Sequence, residues 1–117
     1  MSRSTKALRA DNHGLALDLL DVVVTLKPKF AEGWNRRATV FYMQKEYGRS
    51  LVDIERTLAL EPRHWGALSG LGIIQKRLGK DEAAMETFRR ALEIHPGLEN
   101  ARQALDALEK AAEGDPA

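Results

Sequence analysis

The chain has no cysteine. Disulfides, thiol catalysis and cysteine-ligated zinc are therefore excluded. The compartment stays open, because cysteine-free proteins occur in reducing and oxidising spaces alike. Histidine is scarce: His13, His64 and His95 are the whole set. No two of them share a helical turn, so neither a helix-borne metal pair nor a histidine-centred acid–base site is expected. Neither sign of charge dominates, with 18 Lys and Arg against 17 Asp and Glu. That balance argues against a nucleic-acid binder driven by phosphate contacts. Long apolar runs are missing too. The best candidate, Leu19 to Leu26, carries Asp21 and Thr25 and is far short of the roughly 20 residues that span a bilayer. The opening Met1-Ser-Arg-Ser-Thr-Lys-Ala-Leu has no apolar central segment of the signal-peptide kind. The expectation is a soluble protein, cytoplasmic by default, or periplasmic if an export signal precedes Met1 in a longer natural chain. No membrane or nucleic-acid partner, metal or cofactor is expected.

What is present is a period. Pro28, Pro62 and Pro96 fall 34 residues apart and close similar stretches: Thr25-Leu-Lys-Pro28, Ala59-Leu-Glu-Pro62 and Glu93-Ile-His-Pro96. Stepping back from each proline by equal offsets gives Leu26/Leu60/Ile94, Val24/Leu58/Leu92, Leu20/Ile54/Phe88, Leu17/Leu51/Met85 and Ala16/Ser50/Ala84. These offsets lie close to one stripe of a 3.6-residue helix. A fixed period of this length marks a chain built by stacking one small unit.

Upstream of each such helix lies a second apolar pattern: Trp34, Ala38 and Phe41 in one copy, and Leu68, Leu71 and Gly72 in the next, with Gln75 where Phe41 would recur. Short turns, Lys45-Glu46-Tyr47-Gly48 and Gly79-Lys80-Asp81, separate the two helices. Small residues at Ala38 and Gly72, and at Ala16, Ser50 and Ala84, let helix axes approach closely. Gly70-Leu-Gly72 lies inside a helical pattern and is read as close packing, not as a phosphate loop. Proline lacks the amide hydrogen a continuing helix needs, so each copy stops there. The first copy is read as a frayed helix from Ser4 to Ala10, a turn at Asp11-Asn12-His13-Gly14, and a helix to about Leu26. Asp81 is expected to cap the helix through Glu93. A last helix from Leu98 to Ala112 sets Leu98, Ala101, Leu105 and Leu108 on one stripe, as a terminal cap requires. The reading totals seven helices, with Trp34 and Phe88 buried and Trp65 partly exposed. Asp53 and Glu55 are read as surface.

A 34-residue helical hairpin with Trp34, Ala38, Phe41, Ser50, Ile54 and Pro62, followed by one with Leu68, Leu71, Gly72, Ala84, Phe88, Ala91 and Pro96, resembles the tetratricopeptide repeat. The resemblance implies an all-α fold: a right-handed superhelix of stacked antiparallel hairpins, about three repeats plus a C-terminal capping helix. The expected layout is a single domain over 1–117, with a partial repeat at 1–30, repeats at 31–64 and 65–98, a capping helix at 98–112 and a tail at 113–117. Three residues depart from the pattern: Arg37 for leucine, Gln75 for an aromatic and Thr57 for alanine. The run Phe30-Ala-Glu-Gly-Trp-Asn-Arg-Arg-Ala-Thr39 resembles small bacterial members of the family.

In that family the first helix of each hairpin lines a concave surface that docks other proteins. The uncommitted residues there are Glu32, Asn35, Arg36, Thr39, Tyr42 and Met43, then Gly66, Ser69, Gly70, Ile73, Lys76 and Arg77. Thr5, Leu8 and Arg9 come from the first copy, and Asn100, Gln103, Ala107 and Lys110 from the last helix. The candidate ligand groove is Asn35, Arg36, Thr39, Tyr42, Met43, Ser69, Ile73, Lys76 and Arg77. Arg9, Arg36, Lys76, Arg77 and Lys110 stand against Glu32 alone, so the expected partner is a protein or peptide with an acidic segment. One class of these repeats clamps a carboxylate end with lysine, asparagine and arginine at set offsets. Here those offsets hold Asn35, Thr39, Gly70, Asn100 and Ala104, or in the other register Met1, Thr5, Arg36, Gly66 and Gly70, and neither reproduces the clamp. No catalytic residue is assigned. The alternatives are a self-assembling unit, in which a second chain covers Leu8, Leu15, Leu19 and Val22, and an accessory domain of a longer protein.

Overall fold

Pro28, Pro62 and Pro96 each stand two residues beyond the end of a helix in the structure, a computed structural model that describes residues 2–114 and, for side chains, residues 12–114. Among the described residues there are six helices and no strand: α1 Ser2–Leu26, α2 Ala31–Met43, α3 Tyr47–Leu60, α4 Trp65–Arg77, α5 Asp81–Ile94 and α6 Glu99–Glu113. The chain divides after Leu60 into two compact units, the first holding α1 to α3 and the second α4 to α6.

The first unit is built on close helix approach. A Cβ on Gly33 would meet Cγ1 of Val23 at 3.0 Å, so the missing side chain lets α2 lie against α1. Ala38 and Ser50 are buried where α2 meets α3, and the Ser50 hydroxyl donates to the Ala38 carbonyl at 2.7 Å. Thr57, where alanine was expected, is also buried. Its hydroxyl donates to the Asp53 carbonyl one turn back at 2.9 Å, so the extra oxygen is not left unpaired.

In the second unit α5 packs on α4 through Phe88, whose ring occupies the space a Gly72 side chain would fill. Its other face builds the main apolar cluster with α6, from Ala84, Phe88, Leu92, Ala101, Leu105 and Leu108. Burying each leucine or phenylalanine of this cluster stabilises by about 1.5–3 kcal/mol. The histidine His64 caps α4, its Nδ1 accepting from the Ala67 amide at 3.0 Å.

The two hairpin turns share one geometry. Lys45 (φ 64°) and Gly79 (φ 79°) both adopt the left-handed conformation. The following amides, of Glu46 and Lys80, donate back to Phe41 and Gln75, each at 2.8 Å. This is the arrangement that satisfies the last carbonyls of a helix.

The structure corrects four expectations. The turn at residues 11–14 is absent: α1 runs without a break to Leu26, which removes one helix from the seven and places His13 within it. Nothing there forbids helix, since no proline interrupts the amides and Gly14 has open space around it. Gly in a helix costs about 1 kcal/mol, which continued hydrogen bonding can offset. Asp81 is the first residue of α5 instead of its cap; Lys80 holds the cap position and makes no side-chain capping bond. Trp34 is half-buried, while Phe88 is fully enclosed as expected. Asp53 is a buried residue, not a surface one, because it is taken up in an ion pair described below. Trp65 is 43% exposed and meets His95 edge-on, with 4.7 Å between ring centroids.

Candidate functional site

The sequence-derived groove residues fall on two helices in two different units. On α2, Arg36, Thr39 and Met43 are exposed on the side away from Ala38, while Asn35 and Tyr42 are half-buried beside it. Asn35 Nδ2 donates to Glu32 Oε1 at 3.2 Å, and Thr39 Oγ1 donates to the Asn35 carbonyl at 3.1 Å. These bonds fix the amide and hydroxyl along the face of the helix. Tyr42 leans on Tyr47 with 5.6 Å between ring centroids. Arg36 is exposed, and Met43 more than half so.

On α4, Ile73, Lys76 and Arg77 are exposed. The two basic residues occupy the last turn, where the negative end of the helix dipole favours them. Ser69 is half-buried, and among the described residues its hydroxyl has no hydrogen-bond partner. Each helix thus carries an outward strip of polar and basic groups interleaved with an exposed apolar side chain. Thr5, Leu8 and Arg9 lie outside the described side chains.

Sequence reasoning missed a second cluster, within the first unit. Arg37 grips Asp53 with two parallel bonds, Nε to Oδ2 at 2.8 Å and Nη2 to Oδ1 at 3.1 Å. Its remaining arm, Nη1, reaches Asp21 Oδ1 at 2.9 Å. The Asp53 side chain is 1% exposed and that of Arg37 17%. The hydrogen bond to Asp53 raises the Arg37 guanidinium above its ordinary pKa, against the opposing effect of burial, so the group stays charged. Arg56 adds a third bond to Asp53 Oδ1 at 3.3 Å. The same guanidiniums cover aromatic faces: Arg37 and Arg56 lie 5.1 and 4.6 Å from the Trp34 centroid, and Arg49 lies 5.9 Å from Phe41. Trp34, half-buried, thus has part of its ring covered by charged side chains. Arg37, Phe41, Arg49, Val52, Asp53 and Arg56 line a shallow pocket of about 300 Å³.

A signal for this cluster did exist. In the second hairpin the positions matching Arg37 and Asp53 are Leu71 and Thr87, both neutral, so the two charges arrive together. A parallel case is Gln75, which stands in the aromatic position and accepts a 2.7 Å bond from the Thr87 hydroxyl.

Among the described residues no group of His, Asp or Glu could hold a metal ion, and no helix is long and apolar enough to cross a membrane.

Three comparisons bear on identity. A tetratricopeptide-repeat family profile matches residues 49–99. A TPR repeat-containing protein of Rhizobium etli is 38% identical over 115 residues, which is 98% of this chain and 56% of that protein. The small glutamine-rich tetratricopeptide repeat-containing protein 2 of Saccharomyces cerevisiae is 26% identical over 88% of this chain and 29% of its own length. The chain therefore spans little more than half of one curated relative and less than a third of the other. Among solved structures, the first TPR of Spaghetti (RPAP3) bound to the HSP90 peptide SRMEEVD superposes with a TM-score of 0.82. That match covers 96% of this chain and 89% of the other at 21% identity, a likeness of fold.

Proposed function

The chain is a tetratricopeptide-repeat protein, and on that footing we propose that it is a non-enzymatic docking module holding an acidic segment of another protein against α2 and α4. The observation that carries this reading is the pair of outward strips. Arg36, Lys76 and Arg77 are exposed on the first helices of successive copies, alongside the exposed Met43 and Ile73. Apolar contact flanked by charge is how a groove holds an extended peptide. Positive charge presented on an exposed helix face raises the local concentration of an anionic partner. A protein of the same fold holds such a ligand, since the peptide SRMEEVD bound in the RPAP3 structure carries three acidic residues among its last four. The carboxylate-clamp offsets are not reproduced here, so the charge would be met by Arg36, Lys76 and Arg77.

The expected affinity is micromolar, about −8 kcal/mol, because a short array presents limited area. It should weaken with salt, since exposed charges are screened over about 8 Å at physiological ionic strength. The test is titration of the partner's acidic segment into wild type and into a Lys76→Glu/Arg77→Glu variant. Loss of binding with helical circular dichroism unchanged supports the reading; equal binding sinks it.

A second reading rests on α1. Leu15, Leu19, Val22 and Leu26 recur at helical spacing and are between 54% and 74% exposed. Isolated exposed apolar residues are ordinary, but a continuous stripe marks a surface that is covered in use. On this reading a second chain covers it. A molar mass of 13.1 kDa at all concentrations would exclude self-assembly, and a concentration-dependent dimer would support it.

A further inference from the structure

We propose that the pocket between α2 and α3 is a second binding site, separate from the strips above, and that it takes a carboxylate carried on a short apolar stem.

Charge and hydrogen-bonding capacity point to an anion. Around the pocket three guanidiniums, Arg37, Arg49 and Arg56, meet two carboxylates, Asp53 and Asp21, leaving a surplus positive charge. Asp53 already receives three bonds, and Arg37 spends all three of its nitrogens on Asp53 and Asp21. Arg49 is different. Among the described residues it has no acidic partner and only rests over Phe41, so its fork of donors remains available. Arg56 uses one terminal nitrogen on Asp53, and its side chain is half exposed. These two arginines sit seven residues apart on α3, two turns on one face of a helix.

Shape and polarity narrow the class. The walls between the arginines are Phe41 and Val52, and Val52 is exposed. A fully hydrated, spherical anion would leave that apolar surface uncovered, whereas methylenes behind a carboxylate would bury it. The guanidinium fork also matches a planar carboxylate with two parallel bonds, as Arg37 and Asp53 demonstrate next door. A volume of about 300 Å³ suits one side chain. A glutamate side chain of a bound protein segment meets every condition.

The probe is N-acetylglutamate, titrated into the full chain while the arginine Nε–Hε resonances are followed by NMR. Saturable shifts of Arg49 and Arg56 are expected at millimolar concentrations, with at least tenfold weaker response to the dimethyl ester of N-acetylglutamate, which carries no carboxylate. Arg49→Gln should weaken binding at least fivefold with the helical spectrum unchanged, and Arg56→Gln should do the same independently. The Lys76→Glu/Arg77→Glu variant should bind the probe as wild type does, which separates this site from the groove. The proposal is overturned if no saturable shift appears, if both glutamine variants bind normally, or if inorganic phosphate competes as well as N-acetylglutamate. Loss of probe binding in the Lys76/Arg77 variant would also overturn it, by moving the site to α4.

Discussion

A Cβ on Gly72 would stand 2.6 Å from Cε1 of Phe88, closer than van der Waals contact permits. The glycine on α4 and the ring on α5 are a matched pair: one is small so that the other can be enclosed. Phe88 is 1% exposed, and all three of the nearest atoms to the missing Cβ belong to its ring. A rigid ring walled in on every side has little room to yield. Gly72→Ala should therefore destabilise by about 1–3 kcal/mol through overpacking, despite the better helix propensity of alanine. Urea melts of Gly72→Ala, Phe88→Leu and the double variant measure the coupling. The double variant should be less destabilised than the two single effects added, because leucine vacates the contested volume.

Asp53 and Arg37 form the buried charge pair of the first unit, and breaking it from one side should be costly. Asp53→Ala leaves Arg37 with only the exposed Asp21 and should cost about 3 kcal/mol or more. Replacing both partners is a different experiment. Arg37→Leu with Asp53→Thr copies Leu71 and Thr87 of the second hairpin and removes the charges together. That double variant should unfold within about 1 kcal/mol of wild type, or above it, since well-packed neutral side chains often match a buried ion pair. Chemical denaturation of the three proteins decides the matter. A double variant as unstable as Asp53→Ala would show that the pair itself supports the hairpin.

Lys45 holds a left-handed backbone that Gly79 adopts at the matching position of the next hairpin. A side chain there is disfavoured by about 1–2 kcal/mol, partly offset because glycine loses more entropy on folding. Lys45→Gly should stabilise by about 0.5–1 kcal/mol, and Gly79→Ala should destabilise by a similar amount. Thermal melts of both variants should shift in opposite directions. Equal shifts would mean that the turns are not equivalent.

Leu92 packs in the α5–α6 cluster beside Phe88, Leu105 and Leu108. Truncation to alanine opens a cavity there and should cost about 2–4 kcal/mol. A denaturation midpoint that barely moves would place Leu92 outside the core.

The sequence alone determined the features that act locally along the chain. Proline at 28, 62 and 96 removes an amide and biases its neighbour, and helices end two residues before each. The 34-residue spacing of Ser50/Ala84 and Ile54/Phe88 marked buried contacts that the structure places in the core. The exposure of Arg36, Thr39 and Met43 on α2 and of Ile73, Lys76 and Arg77 on α4 follows from the positions that packing leaves over. Tertiary structure decided the rest. Asp11 to Gly14 carry turn preferences worth at most about 1 kcal/mol each, too weak by themselves to interrupt α1. Arg37 and Asp53 are sixteen residues apart, and each alone reads as a solvent-facing charge. Only the docking of α2 on α3 excludes water from Asp53, and in that low-dielectric setting a planar fork and a carboxylate become partners. The pocket that Arg49 and Arg56 border exists for the same reason, because side chains remote in sequence converge only when their helices pack.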